Sequence, residues 1–317
     1  MKMHKTDWFK EKKWGVFVHY LNGGQNLNAP EGKLPWAEHI ERLDVQKLAK
    51  QLHEAGAGYF CFTLQQQDRY LAVPSARHEE IMGMPRGIVT PHRDIVPELY
   101  EALKAYDIDL MLYFTGDGPF NDGPLDDPNH AGVKYGYTTH AEPVTVEFVK
   151  KWGSVLEEVA VRYGGMVKGW WLDGCHPCIE YDEEKWGILA DAIHAGNPDA
   201  IIAFNASIVD RVKSFSPLDD YTAGERSWFD ELPPSRFIDG GKQWHIFTYL
   251  GYNRNTFGVH GGWGKPGCRF TKEYLYDYVK AATDKEGVVT IDVRMDRYGV
   301  IDPIQLETLK VLKEIRA

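Results

Sequence analysis

"VKGWWLDGCHP", residues 167–177, is the stretch on which the fold turns. Bulky, strand-like residues run straight into Asp173, and a glycine follows. A short apolar run of this kind suits a strand buried on both faces, as in a parallel sheet covered by helices. The carboxylate at its end is either a helix cap at the turn or a reactive group held at the rim of the sheet. The rest of the chain decides between them.

Working outward, similar runs recur at 14–20, 58–64, 109–115, 200–205, about 219–224, 243–249 and 287–293, which with 167–173 makes eight. Helical stretches lie between them: DVQKLAKQLHEAG, RDIVPELYEALKAY, VTVEFVKKWGSVLEEVAVRYG, EEKWGILADAIHAG, TKEYLYDYVKAATDKEG and PIQLETLKVLKEI. Their apolar residues return every three or four positions, and several end in glycine, as helix C-termini do. Eight strands alternating with helices over 317 residues predict an α/β fold, a single (β/α)8 TIM-like barrel. No linker-like segment interrupts the pattern, so residues 1–317 are read as one catalytic domain.

Composition narrows the function classes. The 36 basic residues are outnumbered by 46 acidic ones, and no lysine or arginine run could track a phosphate backbone. Neither nucleic acid nor an anionic membrane is an expected partner. The N-terminus lacks an apolar stretch of signal-peptide length, and no span of about 18 apolar residues occurs. Cys61, Cys175, Cys178 and Cys268 are too few for a disulfide framework in a chain this long. Cys175-His176-Pro177-Cys178 has redox or half-zinc spacing without two further ordered ligands, and is read as structural thiols. No cofactor and no metal are expected.

In a barrel the strand C-termini carry the chemistry, which raises the standing of Asp173. The predicted ends place His19 after the first strand, Gln65 to Arg69 after the second and Asp117 after the third. Asn205 follows the fifth, Glu225 the sixth and Tyr249 to Arg254 the seventh. Ten tryptophans and seventeen tyrosines supply flat apolar faces; Trp36, Trp170, Trp171, Trp228, Trp244 and Trp263 fall near predicted ends or loops. A sugar presents C–H faces and a rim of hydroxyls, so aromatics beside amides, histidines and carboxylates suit an oligosaccharide or glycoside.

The segments "WFKEKKWGVFVHY", "LAKQLHEAGAGYFCFTL", "HRDIVPELYEALKAYDIDLMLYFTGDGP", "WWLDG" and "YLYDYVKAATDKEGVVTIDVRMDRYGVI" together resemble the α-L-fucosidases of glycoside hydrolase family 29. The likeness runs from about Trp8 to Ile315. It implies a substrate-binding histidine at His19 and a nucleophile at Asp173. It also implies that "QQQDRY" stands in the place of a Lys-His-His-Asp-Gly-Phe signature. The chain stops after its last barrel helix, so the C-terminal β-sandwich common in that family is expected to be missing. The departures are Gln66 and Gln67 where the family has two histidines, Arg69 where it has glycine, and His245 where it has the glutamate of a Trp-Glu pair.

A retaining glycosidase needs one carboxylate to attack the anomeric carbon and a second acid to protonate the leaving oxygen. Asp173 is the expected nucleophile. Glu225, in "YTAGERSW", is the expected acid, on the ground that a buried Trp228 beside it would raise its pKa; Asp230, Glu231 and His245 stay open. The expected sugar-binding set is His19, Trp36, Gln66, Gln67, Asp68, Arg69, Tyr113, Trp171, Asn205, Trp228 and His245. Four readings follow: an exo-acting fucosidase-type enzyme, the same scaffold on a different and anionic sugar, an inactive sugar-binding barrel, and a metal-dependent barrel hydrolase. The last would bring closely spaced histidines, and no His-x-His occurs.

Overall fold

The computed structural model describes residues 4–255 and 258–316, with the side chains of residues 253–261 left aside. Among the described residues eleven strands follow in order: β1 Trp14–Val18, β2 Tyr59–Thr63, β3 Asp109–Thr115, β4 Val167–Asp173, β5 Ile201–Phe204, β6 Phe237–Ile238, β7 Lys242–Gln243, β8 His245–Tyr249, β9 Tyr252–Asn255, β10 Gly258–Gly261 and β11 Val288–Val293. Seven form one parallel, curled sheet in the order β5-β4-β3-β2-β1-β11-β8. The pairs β6–β7 and β9–β10 are small antiparallel ribbons. No helix among the described residues is long and apolar enough to cross a membrane, and no β-sandwich appears among them.

The side-chain period of two sorts each strand between two cores. Phe17, Tyr59, Cys61, Met111, Tyr113, Trp171, Ile201 and Phe247 join the cluster that fills the inside of the barrel. Their neighbours Val16, Phe60, Leu112, Trp170, Leu172 and Ile202 pack outward in the larger cluster under the helices. The doubled tryptophan is thereby resolved: Trp170 belongs to the outer layer and Trp171 to the barrel interior. Two residues beyond Trp171 on the same face comes Asp173. The inner cluster closes the barrel below it, so Asp173 faces a cavity at the C-terminal end rather than a pore.

The strand expected at 219–224 is not a regular strand. Isolated parallel bridges, Tyr221 to Gln243 and Glu225 to Phe247, and hydrogen bonds of Thr222 with His245 tie the segment to the β7–β8 side. Towards β5, the amides of Phe204 and Ile202 donate to the carboxylates of Asp219 and Asp220 at 2.8 and 2.9 Å. Side-chain oxygens stand where a neighbouring strand would offer carbonyls, so the segment fills the eighth place without a continuous ladder. Gly224 has φ +65°, and a side chain there would run into the His245 carbonyl. That turn delivers Glu225 to the cavity.

Candidate active site

A cleft of about 750 Å³ opens at the C-terminal ends of the strands. His19, Gln66, Tyr113, Trp171, Asp173 and Glu225 line it with Phe247 and Trp263, and so do Gln25, Lys265, Arg294 and Asp302.

Three donors hold Asp173. The Tyr113 hydroxyl donates to Oδ2 at 2.7 Å, and the Gly174 amide and Asn205 Nδ2 each donate to Oδ1 at 2.8 Å. Asn205 Nδ2 also donates to Glu225 Oε2 at 2.5 Å. One amide nitrogen from the end of β5 therefore spans both carboxyl groups. Burial first, and then the charge of Asp173, push the Glu225 carboxyl up to about 8 from its ordinary 4.5, while the Asn205 hydrogen bond works in the opposite sense. Trp228 has no part in this. It is 41% exposed and packs edge-on against Phe270 with Arg269 over its ring.

The inner wall is aromatic. Tyr113 stacks on Trp171 with centroids 5.4 Å apart, and Trp171 fixes its indole by donating to the Ala223 carbonyl at 3.0 Å. Trp263 meets His19, Phe247 and Tyr249 at 5.8, 4.7 and 4.6 Å. His19 Nδ1 lies 2.8 Å from Asp292 Oδ1, and the second Asp292 oxygen accepts from the Gly264 amide at 2.7 Å. With Nδ1–H donated to a carboxylate, Nε2 is left as the acceptor. Gln66 Nε2 donates to the Tyr113 hydroxyl at 2.8 Å.

Of the expected set, His19, Gln66, Tyr113, Trp171, Asp173 and Glu225 line the cleft, with Asn205 bridging the carboxyls. Trp36, Gln67, Asp68, Arg69, Trp228 and His245 do not line it. Trp36 is buried against His39 and donates to the Leu71 carbonyl. Gln67 sits at the turn with φ +61°, and Asp68 caps the next turn through the Tyr70 amide. Arg69 is consumed by Asp122 and Asp127 at 2.8 and 2.5 Å. His245 is fully enclosed between the Thr222 carbonyl and the Thr290 hydroxyl. Of the other acids considered, Asp230 pairs with Arg226 at 2.5 Å, and Glu231 accepts from the Val212 amide at 2.7 Å. The side chain of Arg254 lies outside the described ones.

Sequence reasoning places Trp263 only as an aromatic near the strand ends and gives Asp292 no role. A lone carboxylate inside the apolar run VVTIDV was its one visible signal. Donor atoms of Asp117, His140 and His176 lie within 4.8 Å of one another, gathered from three separate segments that no spacing rule connects.

A family model described as alpha-L-fucosidase matches residues 37–314. Among solved structures, the chain resembles an endo-fucoidan hydrolase from glycoside hydrolase family 107 at 18% identity and TM-score 0.75, covering 99% of this chain and 54% of that one. It thus spans about half the length of that protein. It also resembles an α-L-fucosidase from Lactobacillus casei in complex with α-L-fucose product, at 18% identity and TM-score 0.62 over 98% of each chain. A family 29 α-L-fucosidase from Bacteroides thetaiotaomicron, solved as a trapped covalent intermediate, matches at 18% identity and TM-score 0.65 over 98% of this chain and 74% of that one. At these identities the structural likeness is one of fold. No curated protein matches the chain.

Proposed function

The chain belongs to the α-L-fucosidase family, and from that premise we propose that it is a retaining, exo-acting glycoside hydrolase with Asp173 as nucleophile and Glu225 as acid/base. The observation that carries this reading is the shared amide. Asn205 Nδ2 reaches Asp173 Oδ1 at 2.8 Å and Glu225 Oε2 at 2.5 Å, so these oxygens are no farther apart than the two bonds laid end to end. That close approach of the facing oxygens suits the short carboxyl separation of about 5–5.5 Å used for direct attack.

In the first step an Asp173 oxygen attacks the anomeric carbon while protonated Glu225 gives its proton to the departing glycosidic oxygen. The Glu225 carboxylate then takes a proton from water, which attacks the same carbon and releases Asp173. Donors on Asp173 aim the carboxylate. Burial keeps Glu225 protonated near neutrality, as its acid role requires. Trp171 and Trp263 offer faces for the sugar's C–H surface, and His19 Nε2 can accept a ring hydroxyl. The trapped intermediate of the Bacteroides enzyme lends the covalent step support by kinship. Protonation and carboxylate attack suffice for this chemistry without a metal.

A second reading, the same chemistry on a larger or anionic glycoside, draws support from Lys265 and Arg294, which line the same cleft as the carboxyl pair. The test is incubation with 2-fluoro-fucosyl fluoride followed by peptide mass spectrometry. The proposal expects a fucosyl adduct on the Asp173 peptide and release of fucose from 4-nitrophenyl α-L-fucoside. An adduct with slow turnover of the simple fucoside and faster turnover of a larger or sulfated one selects the second reading. A folded protein that forms no adduct and cleaves no glycoside of fucose, galactose, arabinose or a uronic acid overturns both.

A further inference from the structure

Beside the carboxyl pair, at the exits of β3 and β4, is a second polar cluster that the glycosidase chemistry does not use. Asp117 is buried. One of its oxygens, Oδ2, lies 2.9 Å from His140 Nε2, and the other, Oδ1, is buried with no hydrogen-bond partner among the described residues. Leaving such an acceptor unmet is costly, so its persistence points to a missing partner. His176 is oriented towards the same place. Its Nδ1 is 3.0 Å from the Ala206 carbonyl and must donate to it, which leaves Nε2 as a bare lone pair. A metal-binding histidine is commonly held in just this way, with the far ring nitrogen donated to a carbonyl. His140 stacks on Phe120 with centroids 3.9 Å apart, which fixes its ring.

We propose that Asp117, His140 and His176 form a site for a divalent transition metal, zinc foremost, with a fourth position open to water. Two imidazoles and one carboxylate are a donor set that zinc accepts, at about 2.0–2.2 Å from each ligand. Two ligands of one tetrahedral ion then lie roughly 3–4 Å apart. The donor atoms here lie within 4.8 Å of one another, so closing on the ion needs only about 1–2 Å of side-chain movement. The His140 side chain is 31% exposed, which gives an ion a route in. Charge favours the ion as well: Asp117 is close enough to feel Asp173, and a cation would offset both. The close packing of Gly174 on the Asp117 carboxylate leaves no space for a side chain there. The ion would therefore clamp the exits of β3 and β4 together directly behind the Gly174 amide that orients Asp173. Its role is structural support of the nucleophile loop and is independent of which sugar is cleaved.

The test uses the full chain purified without a polyhistidine tag, exposed to zinc, dialysed, and measured for metal content by inductively coupled plasma mass spectrometry and for Tm. The expected result is one zinc per chain and a Tm raised by zinc and lowered by EDTA. Both effects should disappear in His140→Gln and His176→Ala and persist in Cys178→Ser, which removes the exposed thiol. Cobalt(II) should give the visible d–d bands of a four-coordinate nitrogen and oxygen donor set without thiolate charge-transfer bands, a readout that needs no variant to fold. Sub-stoichiometric zinc, cobalt and manganese with an unchanged Tm would overturn the proposal, and so would undiminished zinc in the folded double variant His140→Gln/His176→Ala.

Discussion

Two strand exits on either side of β3, those of β2 and β4, carry charged residues into similar surroundings with opposite results. At β4, Asp173 turns inward, and Tyr113, Gly174 and Asn205 aim it at the cleft. At β2, Arg69 turns away, and Asp122 and Asp127 satisfy it on the far side of the loop. The difference lies in the partners. Neutral donors fix a carboxylate while leaving its charge available, whereas paired carboxylates consume a guanidinium. A charged group at a barrel rim is available for chemistry only when the neighbouring loops do not complete its ion pairs.

The largest expected effect breaks the β4 side. Asp173→Ala should lower kcat by about 10⁴-fold or more on an activated fucoside, with the fold intact by circular dichroism and azide restoring part of the rate. A near wild-type kcat in the folded variant would falsify the assignment of Asp173 as nucleophile.

Next comes its partner. Glu225→Gln should cost about 10²–10⁴-fold in kcat on a substrate with a poor leaving group, and less where the leaving group needs no proton. The wild-type rate should fall as pH rises through about 8, where Glu225 loses its proton. Stability follows the same sign. Because the folded carboxyl is raised, its contribution is fully present below the ordinary value of 4.5 and is lost progressively as pH rises towards about 8. Glu225→Gln should therefore narrow the drop in Tm over that window while reducing activity. A pH–rate profile with no alkaline limb near 8 would count against Glu225 as the acid.

The third sharpens the contrast with β2. Arg69→Ala should leave kcat/KM unchanged and lower stability by about 1–3 kcal/mol, since Asp122 loses its charge partner but keeps the amides of residue 69 and Ala131; chemical denaturation measures this. A selective rise in KM with stability preserved would return Arg69 to the substrate.

The smallest effect concerns Gln66, whose one neutral hydrogen bond to Tyr113 is worth about 1 kcal/mol. Gln66→Ala should raise KM for the fucoside by about fivefold, with little change in kcat. A kcat loss comparable to that of Glu225→Gln would make Gln66 part of the reacting centre.

Much of this was legible in the chain itself. Alternating strand and helix periods announce the barrel, and the run WWLD followed by glycine places Asp173 at a strand exit. The inward direction of Trp171 and Asp173 follows from the period of two, once one residue is known to face in. Glu225 was legible as a carboxyl beside the sixth segment, but the cause of its raised pKa was not: the shift comes from burial and from Asp173, not from Trp228. The irregular sixth segment was read as a strand because its residues look like one. Nothing local reveals that Asp219 and Asp220 supply carboxylate oxygens in place of backbone carbonyls.

Local order along the chain thus determined the architecture and the position of Asp173, because hydrophobic period and strand ends are properties of consecutive residues. Only the tertiary structure decided which polar groups meet. Asn205 reaches two carboxyls, Asp292 orients His19, and Asp117 gathers His140 and His176. It also decided that Arg69, Trp228 and His245 spend their polar atoms elsewhere. The physical reason is that a side chain's availability depends on whether its hydrogen bonds and charge are already met, and in a barrel the partners that meet them come from loops remote in sequence.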